Sequence, residues 1–99
     1  MNIDLRGKTA IVTGGDGAIG TAICERFAQT GCNVIIVGID VEKGQKLASE
    51  LSQKYSIKSS QIYGDVTDKD SMIEMSKKAI ADYGRIDFLI NNAGINVGN

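Results

Sequence analysis

The sequence predicts an α/β fold, a parallel four-stranded sheet in the order 3-2-1-4 with helices on both faces, three layers in all. Three observations predict it. Short apolar runs of β type alternate with segments of helical periodicity, at a spacing of roughly thirty residues, the length of one strand–helix–strand unit. A glycine-rich turn, Thr13-Gly14-Gly15-Asp16-Gly17-Ala18-Ile19-Gly20, joins the first run to the first helical segment. The second run, Asn33-Val34-Ile35-Ile36-Val37, is continuously apolar, as a strand covered on both faces must be. Such units cross over right-handedly, and this order sets the first and fourth strands side by side, with their C-terminal ends at the switch point where ligands bind.

Each element follows from local pattern. Lys8-Thr9-Ala10-Ile11-Val12 is the first strand. After the turn, Ile19, Ala22, Ile23, Phe27 and Thr30 share one helical face, and Gly31 ends that helix. In the second helix Val41, Gly44, Leu47, Ala48, Leu51 and Tyr55 recur at helical spacing, opposite a solvated face of Glu42, Lys43, Lys46, Glu50 and Lys54. Gln61-Ile62-Tyr63 is a short third strand that ends at Gly64-Asp65-Val66. Thr67 and Asp70, at capping-box spacing, open a third helix whose apolar face is Met72, Met75, Ala79, Ile80 and Tyr83, and Gly84 closes it. Ile86-Asp87-Phe88-Leu89-Ile90 is the fourth strand, and Asn91-Asn92-Ala93-Gly94 turns away from it.

Composition narrows the function. Residues 1–99 suffice for one domain that buries about two thirds of its unfolded surface. A net charge of −1, scattered Lys and Arg, and only three Tyr and two Phe leave no basic stripe or stacking platform for nucleic acid. No apolar stretch approaches a membrane span, and Met1-Asn2-Ile3-Asp4-Leu5 lacks a charged-then-apolar signal, so a cytoplasmic location is expected. Cys24 and Cys32 stand apart in apolar segments with no His in the chain, which predicts two buried free thiols and no metal site.

The turn itself points to a phosphate. Gly15, Gly17 and Gly20 have G-x-G-x-x-G spacing between a strand and a helix, the context in which bare main-chain N–H groups and a positive helix end meet a pyrophosphate. The ATP-type loop is excluded, because Thr21-Ala22 follows Gly20 where Lys and then Ser or Thr would be required. Residues 14–20, Asp65 and residues 91–94 all follow strand ends, so three loops converge on one edge of the sheet.

With those motifs in place, the chain resembles the short-chain dehydrogenases/reductases, NAD(P)-dependent oxidoreductases of Rossmann fold. The resemblance covers nearly the whole chain and rests on residues 13–20, on Gly64-Asp65-Val66-Thr67-Asp68, and on residues 83–94, where Asn91-Asn92-Ala93-Gly94 is the most specific match. It implies that Gly14, Asp16, Gly17, Ile19 and Gly20 line the pyrophosphate and adenosine ribose. Asp65 and the Val66 backbone would hold the adenine, Asn92, Ala93 and Gly94 would lie along the cofactor, and Asn91 would fix the fourth strand. Asp65 as a turn residue and the Asn pair as satisfied loop amides are the structural alternatives.

Two departures from the family pattern matter. Ala18 stands where the shorter-chain branch usually has Gly, and Gly17 beside it offers backbone freedom; read as T-G-x-x-G-x-x-G, the stretch also fits the longer nucleotide-sugar branch, against which residues 91–94 argue. The usual acid at the end of the second strand is replaced by Gly38, followed by Ile39 and Asp40. Asp40 either caps the second helix or bonds the ribose 2′-OH. With no cation at Gly17 or Ile39 to pair with a 2′-phosphate and Asp40 near enough to repel one, the cofactor is NAD or NADP with the balance toward NAD.

The resemblance implies a Ser, a Tyr and a Lys four residues after the Tyr for hydride transfer, and no Tyr here is followed by Lys at that spacing. Residues 1–99 are therefore expected to be the N-terminal, cofactor-binding portion of a homo-oligomeric oxidoreductase acting on an alcohol/carbonyl pair such as a 3-oxoacyl or sugar-type carbonyl, with those residues beyond Asn99. A standalone nucleotide-binding or regulatory module and a nonfunctional truncated product are the alternatives. An apolar edge at residues 86–90 predicts that the 99-mer alone is inactive and self-associates or dissolves poorly.

Overall fold

In the computed structural model, residues 3–92 are described, and they form the expected alternation of strands and helices. The strands are β1 (Thr9–Thr13), β2 (Asn33–Gly38), β3 (Ser59–Tyr63) and β4 (Phe88–Asn91). The helices are α1 (Ala18–Gln29), α2 (Val41–Tyr55) and α3 (Lys69–Tyr83). All pairings are parallel in the order β3-β2-β1-β4, as the sequence predicts, with Val12 opposite both Ile36 and Ile90.

Alternation along β1 and β2 divides the core between the two faces. Val12, Val34 and Ile36 point toward α1 and α2, where they meet Cys24, Ala28, Ala48 and Leu51. Ile11, Ile35 and Val37 point to the other face, against Met75 and Ala79 of α3 and Ile62 of β3. Each buried Ile or Val of β2 contributes about 1.5–3 kcal/mol of transfer free energy, which is why the two central strands read as unbroken apolar runs. The crossover direction reverses after β3, so α3 lies on the face opposite α1 and α2.

The boundaries differ from expectation where side chains replace main-chain partners. β4 starts at Phe88, two residues late, because the Asp87 carboxylate accepts the Thr9 N–H at 2.9 Å while the Asp87 N–H donates to the Thr9 carbonyl at 2.8 Å. Ile86 leaves the ladder and packs on the α3 side with Tyr83. The cap of α3 is Asp68, one residue after the expected Thr67; its carboxylate accepts from the N–H groups of Asp70 and Ser71. β4 is an edge strand among the described residues, and Leu89 on it is 63% exposed.

The largest revision concerns α1. Its buried positions are Gly20, Cys24 and Ala28, four residues apart, and not the expected face of Ile19, Ala22, Ile23, Phe27 and Thr30. Small residues let the helix axis approach the sheet closely. Ile23 and Phe27 are half-buried beside that seam, while Ile19 is exposed, and with Leu5 they line an open apolar groove. Phe27 also stacks, tilted, on Phe88 of β4 with ring centroids 5.5 Å apart.

Candidate dinucleotide site at the strand ends

The β1–α1 turn is built around Gly14. Its backbone is left-handed at φ +65°, which favours glycine, and its N–H donates to the Val37 carbonyl at 2.7 Å, tying the turn to β2. The Gly14 carbonyl accepts the Gly17 N–H at 3.1 Å and the Asn92 amide at 3.3 Å, tying the same residue to α1 and to the end of β4. The loops after β1 and β4 are thereby joined through one peptide unit, beside the topological switch point.

The glycines are not equivalent. A Cβ on Gly20 would fall 2.0 Å from the Gly14 carbonyl oxygen and 2.7 Å from the Gly15 Cα, so no side chain fits there. Gly17 has φ −82° and ψ 174°, extended backbone open to any residue, and a Cβ on it would meet the Gly14 oxygen only at 3.5 Å. The backbone freedom offered by Gly17 is therefore not used, and Ala18 takes the first helical position without strain. Gly14 and Gly20 shape this turn more than the regular spacing of Gly15, Gly17 and Gly20 suggests.

The N-terminus of α1 is unlike the other two. Asp40 caps α2 by accepting the Lys43 N–H at 3.1 Å, and Asp68 caps α3. Gly17 at the start of α1 has no side chain with which to cap, and the first turn carries no acid. Among the described residues, the N–H groups of Ala18, Ile19 and Gly20 thus have neither an intrahelical acceptor nor a capping side chain, at the positive end of the helix dipole.

The other expected residues surround this point. Thr13 Oγ1 lies 3.1 Å from Asn91 Oδ1 and 3.3 Å from the Ile90 carbonyl, so the strand-fixing role of Asn91 has a visible partner on β1. After β3, Asp65 accepts the Thr67 N–H at 2.9 Å and its hydroxyl at 2.7 Å, both on Oδ1. These two bonds hold the Asp65 carboxyl below its ordinary pKa. Oδ2 takes neither of them. Ile19, Ile39 and Val66 are apolar yet 58%, 68% and 40% exposed, Ile19 in the first turn of α1 and the other two in the loops that follow β2 and β3. Ala93 and Gly94 lie outside the described residues.

One grouping escaped sequence reasoning. Ser60 Oγ lies 2.7 Å from the Tyr83 hydroxyl, and Lys58 Nζ stands 4.2 Å from the centre of the Tyr83 ring, a Ser–Tyr–Lys cluster assembled from β3, the residue before it and the end of α3. It sits at the opposite end of the sheet from the glycine turn. Burial raises the Tyr83 pKa, the wrong direction for a proton acceptor, and Lys58 donates to the Asp82 carbonyl, so the cluster anchors α3 to β3.

Cys24 and Cys32 are free and buried, as expected, and among the described residues no group of His, Cys, Asp or Glu could hold a metal ion. No helix of the described residues is long and apolar enough to cross a membrane.

Comparison with known proteins decides the family. A short chain dehydrogenase model matches residues 8–99. The chain belongs to the short-chain dehydrogenase family. A 3-oxoacyl-[acyl-carrier-protein] reductase of Chlamydia muridarum is 45% identical over 95 residues, covering 96% of this chain and 38% of that protein. The L-sorbose reductase of Gluconobacter frateurii, solved with NADPH and L-sorbose, superposes with a TM-score of 0.91 at 28% identity, covering 100% of this chain and 38% of the reductase. An NAD+-bound xylitol dehydrogenase superposes at 0.85 with 31% identity, covering 91% and 34%. The chain thus spans well under half the length of these relatives.

Proposed function

We propose that this chain is the dinucleotide-binding portion of an NAD(P)-dependent oxidoreductase that moves hydride between a nicotinamide and an alcohol/carbonyl substrate. The observation that carries it is the uncapped N-terminus of α1, set among three loops at the switch point of a short-chain dehydrogenase sheet. A pyrophosphate there would accept from the free N–H groups of Ile19 and Gly20, with Gly14 and Gly17 leaving room for its approach. Asp65 would accept the adenine amino group on Oδ2, and Ile19, Ile39 and Val66 would be covered by the adenosine. Asn92, Ala93 and Gly94 would follow the cofactor toward its nicotinamide.

When bound, the nicotinamide supplies the hydride chemistry. The residues of this chain hold and orient the cofactor, and no Tyr of residues 1–99 is followed four residues on by the Lys that the family pairs with it. The substrate class we favour is a 3-oxoacyl or sugar-type carbonyl, in keeping with the names of the relatives. A homo-oligomer in the cytoplasm is the matching expectation, and NAD the favoured cofactor, although relatives bound to NADPH and to NAD+ both exist.

The test is a fluorescence titration of the full-length protein with NADH and NADPH, followed by turnover assays on a panel of carbonyl substrates. Saturable binding of a dinucleotide with turnover of a carbonyl supports the proposal. Absence of dinucleotide binding overturns it.

A further inference from the structure

The acid that reads the adenosine ribose in this fold ordinarily stands at the end of the second strand, a position held here by Gly38. The space above Gly38 is nevertheless not free. A Cβ built on Gly38 would lie 2.9 Å from Asp16 Oδ1, 3.3 Å from its Cγ and 3.4 Å from Oδ2, so the nearest three atoms all belong to one carboxylate. Asp16 comes from the β1–α1 turn, immediately before the uncapped helix end.

Asp40, the other acid nearby, is differently placed. Its carboxylate accepts the Lys43 N–H as the cap of α2, and its side chain is on the exposed rim. Among the described residues none donates a hydrogen bond to Asp16. One acid is committed to a helix cap, and the other sets its oxygens beside the end of β2 with no donor to them among the described residues.

Resting on the dinucleotide reading above, we infer that Asp16, held against Gly38, is the residue that accepts the adenosine ribose hydroxyls and excludes a 2′-phosphate, and that it makes the site selective for NAD. Two features explain the exchange. Gly38 has no side chain because the Asp16 carboxylate occupies that volume, and its carbonyl remains engaged by the Gln61 amide at 3.1 Å and the Gly64 N–H at 3.3 Å. A 2′-phosphate brought to the same place would set a second anion, carrying about −1.5 to −2 charges at neutral pH, against the Asp16 carboxylate with no Lys or Arg within the adjoining turn to offset it. The carboxylate has thus moved from the strand end to the glycine turn while pointing at the same volume.

Dissociation constants of NAD+ and NADP+ measured on the full-length protein test this, for wild type, Asp16→Asn, Asp40→Asn and the double change Asp16→Ser with Gly38→Asp. Wild type should favour NAD+ by about tenfold or more, as a charge-assisted hydrogen bond warrants. D16N should erase most of that preference and D40N should leave it in place. The double variant should restore it, because the shorter side chain at position 16 vacates the volume that a carboxylate at position 38 then fills. Wild-type preference for NADP+, or a ratio in D16N within about twofold of wild type, overturns the role of Asp16 while leaving the dinucleotide site standing. Binding of neither cofactor to wild type overturns the site itself. A wild-type preference for NADP+ overturns the role of Asp16 even where a variant fails to fold.

Discussion

The position of the Gly20 α-carbon against the Gly14 carbonyl oxygen fixes how α1 leaves the sheet: a Cβ there would fall 2.0 Å from that oxygen. The contact is backbone to backbone, so no rotamer change relieves it. Gly20→Ala should destabilise the fold by roughly 2–4 kcal/mol, in the range of severe packing clashes, and weaken dinucleotide binding. Gly17→Ala should change stability by no more than about 0.5 kcal/mol, because the backbone there is already extended. Urea unfolding of the two variants checks the contrast, and equal losses would contradict the geometry.

Asp87 should contribute to the acid limit of the fold. Hydrogen bonds from Arg85 first, and from the Thr9 N–H second, hold its carboxyl below the ordinary 3.8. A carboxylate whose folded pKa is depressed contributes stability that is fully present above the unfolded value and is lost as pH falls through the folded value. Stability should therefore be flat across neutral pH and decline below about pH 4. Asp87→Asn should lower the urea midpoint at pH 7 and flatten the acid limb. An unchanged acid limb would assign the effect to other carboxylates, among them Asp65, which Thr67 shifts in the same direction.

Two helix caps carry a stability prediction of their own. Asp40→Ala and Asp68→Ala each remove a carboxylate that accepts first-turn N–H groups, and each should cost about 1 kcal/mol of unfolding free energy. Thr67→Ala should cost less at the α3 terminus, since Thr67 donates to Asp65 and does not cap the helix. Chemical denaturation of the three variants ranks them, and a larger loss for Thr67 would restore the capping box.

The two thiols should be chemically silent in the folded protein. Burial pushes Cys24 up to about 12 and Cys32 up to about 11, so neither is a thiolate near neutral pH. A chromogenic disulfide reagent should label both only at the rate of opening in buffer and promptly in urea. Rapid labelling of Cys24 in the native protein would contradict its place between α1 and the sheet.

The strand order was legible because β1 and β2 are buried on both faces and must therefore be apolar throughout, and because each crossover is long enough for a helix. The face of α1 was not. Its closest approach to the sheet is made by Gly20, Cys24 and Ala28, which matter for their small size and are less hydrophobic than Ile23 and Phe27. The shift of the α3 cap from Thr67 to Asp68 reflects two adjacent residues of similar capping strength. In the candidate site, the glycine turn and Asn92 were legible as motifs and their mutual bond through Gly14 agrees with them. The approach of Asp16 to Gly38 was not legible, since it joins the turn after β1 to the end of β2 and depends on the packing of parallel neighbours.

Whether the first turn of α1 receives a pyrophosphate is tested most directly by a crystal structure of the full-length protein with NAD+. Phosphate oxygens should lie within hydrogen-bonding distance of the Ile19 and Gly20 N–H groups, with the adenosine ribose beside Asp16. A cofactor bound elsewhere, with those N–H groups facing water or a protein side chain, would contradict the proposed site.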